Sequence, residues 1–127
     1  MAQYDLRNRV TIVDSINAAS YTGATNGTSA NMSGFDGALV VHNVGAVVGA
    51  PVVIMEDSDD DTTFATVATA SLQTDMPAAL GTTTDAQTYT ALYKGRKVYL
   101  RTRIDNAGTS IILSSQIVQY PQRHLEP

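Results

Sequence analysis

The feature that most restricts how this chain can fold is a strictly alternating run at residues 97–105. Its two interleaved sets of residues are Val98, Leu100, Thr102 and Ile104 on one side and Tyr99, Arg101 and Arg103 on the other. Successive side chains of a β-strand leave opposite faces of the sheet. The run therefore predicts a strand with one face in a hydrophobic core and a basic face that points away from it.

The basic residues of the chain are concentrated in and just before this strand. Five of the eight Lys and Arg residues lie there, namely Lys94, Arg96, Lys97, Arg101 and Arg103. The whole chain nevertheless has a formal net charge of −4. An acidic protein is not expected to bind nucleic acid in bulk, because nucleic-acid-binding domains are usually basic overall. We therefore expect the basic strand to meet protein rather than nucleic acid.

An acidic run at residues 56–61 is complementary in charge to the basic strand. A chain that carries both can join copies of itself or bind a partner of mixed charge. The candidate assembly residues are Arg96, Lys97, Tyr99, Arg101, Arg103, Glu56, Asp57, Asp59, Asp60 and Asp61. Contact with a phosphate backbone and a solvated outer face remain alternatives for the basic strand. Assembly through these charges should weaken at high salt. Arg101→Glu and Arg103→Glu should then weaken assembly and leave the fold intact.

The residue types in the chain predict a single all-β domain. Thr and Val are abundant and suit a pleated sheet, whereas the helix-forming residues Glu and Lys are scarce. The 127 residues are enough for one hydrophobic core, and no cysteine is present to form a disulfide. The sequence also has no apolar run long enough to span a membrane and no N-terminal signal pattern.

The apolar and turn-forming residues predict seven or eight short strands in an antiparallel β-sandwich of jelly-roll type. The predicted strands are 10–13, 38–44, 52–55, 62–69, 86–93, 97–105 and 110–120. We expect 86–93 and 97–105 to form a hairpin, 75–80 to form a helical turn, and 22–37, 45–51 and 81–85 to be loops, the first with a brief strand inside it. Residues 1–22 are either a first strand or an extended arm, and residues 121–127 form a tail.

The strands at 38–44 and 52–55 are apolar on both faces. This pattern indicates either a central position between layers or a face that is covered by a partner.

Few residues suggest a metal, a cofactor or catalysis. Asp57, Asp59 and Asp61 have the spacing that begins an EF-hand, but Thr62 and Ala68 replace the glycine and the glutamate that the motif requires. A calcium loop of another kind and an acidic hairpin turn both remain open. His42 lies within an apolar strand and is interpreted as structural. We expect no cofactor, no small-molecule substrate and no enzymatic activity.

Three segments of the chain together resemble a known class of protein. They are Glu56-Asp-Ser-Asp-Asp-Asp-Thr-Thr-Phe64, Tyr93-Lys-Gly-Arg-Lys-Val-Tyr-Leu-Arg-Thr-Arg103 and the closing Pro-Gln-Arg-His-Leu of residues 121–125. Their order is similar to that of small virion proteins of tailed bacteriophages, and most of all to jelly-roll capsid decoration or cement proteins. The resemblance covers residues 36–125 and leaves the N-terminal third unexplained.

The resemblance implies a structural protein that is made in the bacterial cytoplasm and bound to the outer surface of the phage head. Such a protein binds the major capsid protein, locks neighbouring capsomers and commonly forms a homotrimer. The alternatives are a head-fibre or tail-associated adaptor and a carbohydrate-binding module. Carbohydrate modules usually stack sugars on exposed aromatic rings, whereas this chain has six Tyr, two Phe and no Trp.

Overall fold

The computed structural model describes residues 10–81 and 86–121. The strands are β1 Thr11–Tyr21, β2 Thr25–Asn26, β3 Ala30–Asn31, β4 Phe35–Val48, β5 Val52–Ser58, β6 Ala65–Thr66, β7 Leu72–Thr74, β8 Gln87–Tyr93, β9 Tyr99–Asn106 and β10 Ser110–Pro121. The predicted arm, the loop at 81–85 and the C-terminal tail fall partly on residues 1–9, 82–85 and 122–127, which lie outside the described residues. No helix within the described ranges is long and apolar enough to cross a membrane.

The strands form two antiparallel sheets that enclose the core. Sheet one has the order β1-β10-β4-β8-β7, and sheet two has the order β2-β9-β5-β6, with β3 also paired to β9. Every pairing within the sheets is antiparallel. The predicted all-β antiparallel sandwich is therefore confirmed.

The order of the strands is that of a two-stranded ribbon rolled into a sandwich. β1 pairs with β10, β2 with β9, β4 with β8 and β5 with β6, so the chain runs out along one side of the ribbon and returns along the other. Rolling the ribbon brings β4 beside β10 and β5 beside β9. This winding is the jelly roll that the strand pattern predicted.

The hairpin predicted between 86–93 and 97–105 is wrong. β8 pairs with β4 and β7 in sheet one, whereas β9 pairs with β2, β3 and β5 in sheet two. The connection of residues 94–98 crosses from one sheet to the other, a distance of about 10 Å between stacked sheets. Alternation identifies a strand and its buried face, but it does not say which strand becomes its neighbour.

Two other local predictions around β6 are also wrong. The strand expected at 62–69 shortens to the two residues of β6 and is followed by a 3₁₀ turn at Thr69–Ser71. The helical turn expected at 75–80 is absent. Its proposed cap, Asp75, instead accepts a hydrogen bond from the backbone N–H of Thr90 on the neighbouring strand at 2.8 Å. Pairing across the sheet therefore replaces the local turn.

Strands β1 and β4 are longer than the sequence pattern indicated. The expected turn at 45–51 begins only after Val48, because β4 continues through Gly45 with the side chain of Ile112 lying over that glycine. β1 extends to Tyr21, with register irregularities between Asp14 and Ala19. The brief strand expected within 22–37 is confirmed as β2 and β3.

A buried polar layer divides the core into two apolar clusters. Ile104, Ile111 and Leu113 belong to one cluster, and Leu100 and Ile117 belong to the other. Between the two clusters lie His42, Ser115 and Thr102, which are buried and joined by hydrogen bonds. The sandwich therefore has apolar ends and a polar middle.

β9 has the two faces that the sequence predicted. Leu100, Thr102 and Ile104 are fully buried, whereas Arg101 and Arg103 are half-buried on the outer face of sheet two.

Candidate functional site

The outer face of sheet two carries an ion pair between its two long strands. Glu56 on β5 lies directly across from Arg101 on β9. The Arg101 Nε and Nη2 atoms donate to Glu56 Oε1 at 3.0 and 2.7 Å, and the guanidinium lies 3.8 Å from the centre of the Phe64 ring. The two charged side chains are only 16% and 12% exposed. Glu56 and Arg101 therefore stabilise each other within the fold, because a charged group with so little access to water needs an opposite charge beside it.

The other cations of the basic strand also have partners within the chain. Lys97 Nζ lies 2.9 Å from Asp59 Oδ2, with both side chains largely exposed. Arg103 donates to Asn26 Oδ1 at 2.6 Å and to Asp105 Oδ1 at 3.4 Å. The acidic loop and the basic strand thus meet within one molecule.

This pairing changes the effect expected of Arg101→Glu. The substitution would place two carboxylates side by side in a poorly hydrated position, so it should destabilise the isolated fold. Of the other predicted assembly residues, Tyr99 is half-buried on the outer face of sheet two and Arg96 is exposed in the loop that precedes β9.

The acidic residues form a hairpin turn between β5 and β6, as one of the two sequence interpretations predicted. Asp60 Oδ1 accepts hydrogen bonds from the backbone N–H groups of Thr62 and Thr63 and from the Ser58 hydroxyl. These bonds, led by those from Thr63 and Thr62, lower the pKa of Asp60. Asp61 accepts from the hydroxyl of Ser29.

The carboxylates of this turn do not converge on one point. Asp57 points inward to Tyr93, Asp59 points to Lys97, and Asp60 caps its own turn. Among residues 10–81 and 86–121, no group of three His, Asp or Glu side chains is arranged to hold a metal ion.

Tyr93 anchors the loop that leads into β9. Its ring is fully buried, and its hydroxyl donates to Asp57 Oδ2 at 2.9 Å and accepts from the backbone N–H of Lys97 at 3.3 Å. Burial, and then the hydrogen bond to Asp57, raise the pKa of Tyr93. The phenol therefore stays neutral and serves as a fixed support.

His42 and Ser115 form a pair that resembles a base and a nucleophile. His42 Nδ1 lies 3.0 Å from Ser115 Oγ, which lies 2.7 Å from the hydroxyl of Thr102. The exposed fractions of His42 and Ser115 are only 2% and 0%, so a substrate cannot reach the hydroxyl in this fold. Burial lowers the pKa of His42 to about 4, and the negative charge of Asp75 only partly opposes that shift. His42 is a neutral core residue, as the sequence indicated.

The outer face of sheet one has a different composition. The outward side chains of its three central strands are uncharged from Leu39 to Val48 on β4, along β8, and from Ile112 to Tyr120 on β10. One row across the sheet consists of the aligned residues Ile12, Val118, Leu39 and Leu92. Large apolar side chains are exposed on this sheet, with Ile12 at 61%, Val48 at 52%, Ile112 at 46% and Leu39 at 40%.

Neutral polar residues on the central strands of this face are bonded to one another. Asn43 accepts from the Thr88 hydroxyl at 3.0 Å and donates to Gln116 Oε1 at 3.3 Å. Beside this group lies a shallow depression of about 310 Å³, lined by Leu39, Gln73, Thr74, Asp75, Thr90 and Leu92. Acidic groups lie at the borders of this face, Asp75 at the rim of the depression and Asp14 on the edge strand β1 opposite Gln116. The face as a whole suits contact with an apolar or neutral protein surface.

The charge pattern of the sequence does not predict this face. The available signal was the prediction that 38–44 is apolar on both sides, which applies to β4. What the sequence could not show is that β10 and β8 lie on either side of β4 and align their own outward residues with Leu39.

Comparison with known proteins adds information about the fold. No family model matches the sequence, and no curated protein matches it significantly. The crystal structure of SPBc2 prophage-derived protein YomS is similar, with a TM-score of 0.56 over 86% of this chain and 92% of that chain. The two sequences are 12% identical, so the likeness concerns the fold.

Proposed function

We propose that this protein is a non-enzymatic structural component of a bacteriophage particle. It binds the outer surface of the head through the major capsid protein and stabilises contacts between capsomers. The observation that carries the proposal is the partly apolar outer face of sheet one, whose three central strands have no charged outward side chain from Leu39 onward on β4, along β8 and from Ile112 to Tyr120 on β10. The phage origin is supported by the fold shared with a prophage-derived protein and by the resemblance of the sequence to jelly-roll decoration proteins.

The dimensions of this face are adequate for a stable protein contact. The twelve residues of β10 extend about 40 Å at roughly 3.3 Å per residue, and five strands at a spacing of about 4.8 Å are roughly 20 Å across. The product is roughly 800 Å², similar to the area that each partner buries in an interface of standard size. Four exposed apolar side chains within such an area supply the burial that drives association.

The orientation on the shell follows from the difference between the two sheets. The outer face of sheet one faces the capsid, and the charged face of sheet two remains in water. A homotrimer would hold three such faces against the shell at once, which increases the apparent affinity without requiring a strong single contact.

Co-sedimentation with purified heads of the phage that encodes the protein tests the proposal. The wild-type protein should sediment with heads, and Leu39→Asp together with Ile112→Asp should reduce that binding by at least about tenfold, because each aspartate would be desolvated on contact. Asn106→Asp is the matched control. It adds one negative charge, compared with two in the double variant, at an exposed position of β9 and preserves a side-chain acceptor for Gly108 N–H.

Three outcomes would contradict the proposal in different ways. Failure of the wild-type protein to bind heads would remove the decoration role, and binding to tails alone would replace it with the tail-adaptor function. An equal loss in the Asn106→Asp control would move the contact away from sheet one. Light scattering after size-exclusion chromatography tests the trimer separately, and a monomeric mass would exclude it.

A further inference from the structure

A second surface feature lies at the end of the sandwich where the chain crosses from β8 to β9. It is a cleft of about 610 Å³, lined by Met32, Phe35, Asp36, Lys94, Gly95, Arg96, Lys97 and Tyr120. Three of these residues are cationic and one is acidic. The cleft is therefore a positively charged depression on a protein whose formal net charge is −4.

The two cations at residues 94 and 96 differ from the other basic residues that lie on β9 or next to it. Lys97, Arg101 and Arg103 each contact a carboxylate within the chain. Lys94 and Arg96 are exposed, and neither side chain has a hydrogen-bond or ion-pair partner among residues 10–81 and 86–121. Their charges are available to a ligand.

The backbone that presents these cations is held in place on both sides. Lys94 N–H donates to Ser71 O at 2.8 Å, and Lys97 N–H donates to the buried hydroxyl of Tyr93 at 3.3 Å. Between them, Gly95 lies so close to the Tyr93 ring that a methyl group at its Cα would overlap the phenol. The cations therefore project from a constrained loop, so that less conformational entropy is lost when they bind.

The remaining wall of the cleft is aromatic and apolar. Phe35 and Tyr120 come from the paired ends of β4 and β10, and Met32 lies beside them. Rings of this kind pack against the stems of neighbouring side chains, while a guanidinium such as that of Arg96 binds a carboxylate through two parallel hydrogen bonds. The cleft combines both kinds of contact.

The surrounding charges favour a short acidic ligand over a long polyanion. Asp36 lies in the cleft, and Asp57 and Asp59 line a neighbouring depression that shares Arg96 and Lys97 with the cleft. A nucleic-acid strand that extended beyond the cleft would approach these carboxylates. A few acidic residues of a peptide can fit within the cleft without doing so.

We propose that this cleft binds an acidic peptide segment of a protein partner. Arg96 and Lys94 pair with its carboxylates, and Phe35 and Tyr120 pack against its apolar groups. The cleft adjoins the outer face of sheet one at Tyr120, but Lys94 and Arg96 lie outside that face, so the inference does not depend on the head-binding function.

Titration of the full-length protein with an end-blocked hexaglutamate peptide at low salt tests this inference. Backbone amide NMR signals of residues 94–97 should shift saturably. The double variant Lys94→Ala with Arg96→Ala should bind at least about tenfold more weakly, since it loses two charge-assisted contacts. Arg103→Ala removes one positive charge outside the cleft, so it should keep the affinity within about twofold.

Each of the other outcomes would overturn the inference. These are the absence of saturable shifts in the wild-type protein, an equal loss of affinity in Arg103→Ala, and tighter binding of inorganic phosphate or a short single-stranded DNA than of the peptide. Head binding measured on the same variants should remain unchanged, which separates failure of this site from failure of the decoration role.

Discussion

The two outer faces of this sandwich differ in whether their side chains have interaction partners within the protein. On sheet two, Glu56 and Arg101 neutralise each other across neighbouring strands, and the Arg101 guanidinium stacks on the Phe64 ring. On sheet one, Leu39 and Ile112 are exposed to water and have no apolar neighbour layer above them in the described part of the chain. The charged outer face of sheet two therefore has its ion pair within the molecule. The outer face of sheet one, in contrast, leaves large apolar side chains exposed to water.

This difference shows why charge complementarity within one sequence is ambiguous. An acidic run and a basic strand can attract copies of a chain, but they can equally attract each other once the fold places them side by side. Arg101 and Glu56 are 45 residues apart in sequence and lie opposite each other in the sheet. The prediction that these residues form an assembly interface remains untested, while their role in the fold is visible.

The largest effect that separates the two faces is expected from adding a negative charge to each. Arg101→Glu should lower the free energy of unfolding by about 4 kcal/mol, because it removes the partner of a poorly hydrated carboxylate and adds a like charge beside it. Leu39→Glu should lower it by only about 1 kcal/mol, because Leu39 is 40% exposed and loses only its contacts with the neighbouring outward residues. Urea denaturation of both variants measures the contrast, and equal losses of stability would eliminate it.

The core between the faces should respond to acid through His42. Its pKa is about 4 in the folded protein and about 6.5 when the chain is unfolded, so between these values the unfolded chain binds more protons. Stability is therefore lost as the pH falls from about 6.5 toward 4, by about 3 kcal/mol in total.

Denaturation at a series of pH values measures that loss, and an NMR titration of the His42 ring checks its origin directly. The ring should remain neutral until the pH approaches 4. Protonation near pH 6.5 without unfolding would show that the histidine is hydrated and would remove the predicted slope.

Loss of the exposed Lys97–Asp59 ion pair should destabilise the fold much less than loss of the half-buried Glu56–Arg101 pair. Lys97→Ala should leave the urea midpoint nearly unchanged at physiological salt, because both side chains of the Lys97–Asp59 pair are solvated and screened. Chemical denaturation of this variant beside Arg101→Ala provides the comparison. A loss as large as that of Arg101→Ala would mean that exposure does not decide the strength of these pairs.

The smallest expected effect is that of salt on head binding. Contact through the central strands of sheet one should change in affinity by less than about twofold between low and high salt, because their outward side chains from Leu39, Gln87 and Ile112 onward are uncharged and form no ion pairs. Sedimentation at several sodium chloride concentrations measures this dependence. A steep loss of binding at high salt would instead assign the contact to the charged residues of sheet two.

Part of the fold could be predicted from the sequence because it depends on local patterns of residues. The alternation from Val98 to Ile104 identified a two-faced strand, and the acidic residues before Thr62 identified a turn, since both signals come from neighbours in sequence. The hairpin between β8 and β9 was predicted wrongly for the same reason. Closeness in sequence favoured a local pairing, whereas the rolled ribbon places the two strands in opposite sheets.

The amino-acid order alone specified an all-β sandwich, the buried side of β9 and the structural character of His42. These follow from side-chain periodicity and from the chemistry of single residues. Tertiary structure decided that the basic strand neutralises the acidic turn and that the outward residues of β4, β8 and β10 form one uncharged surface. It also left Lys94 and Arg96 without partners in the described part of the chain. The physical reason is that pairing, hydration and surface continuity depend on which strands become neighbours, and strand neighbours here are distant in sequence.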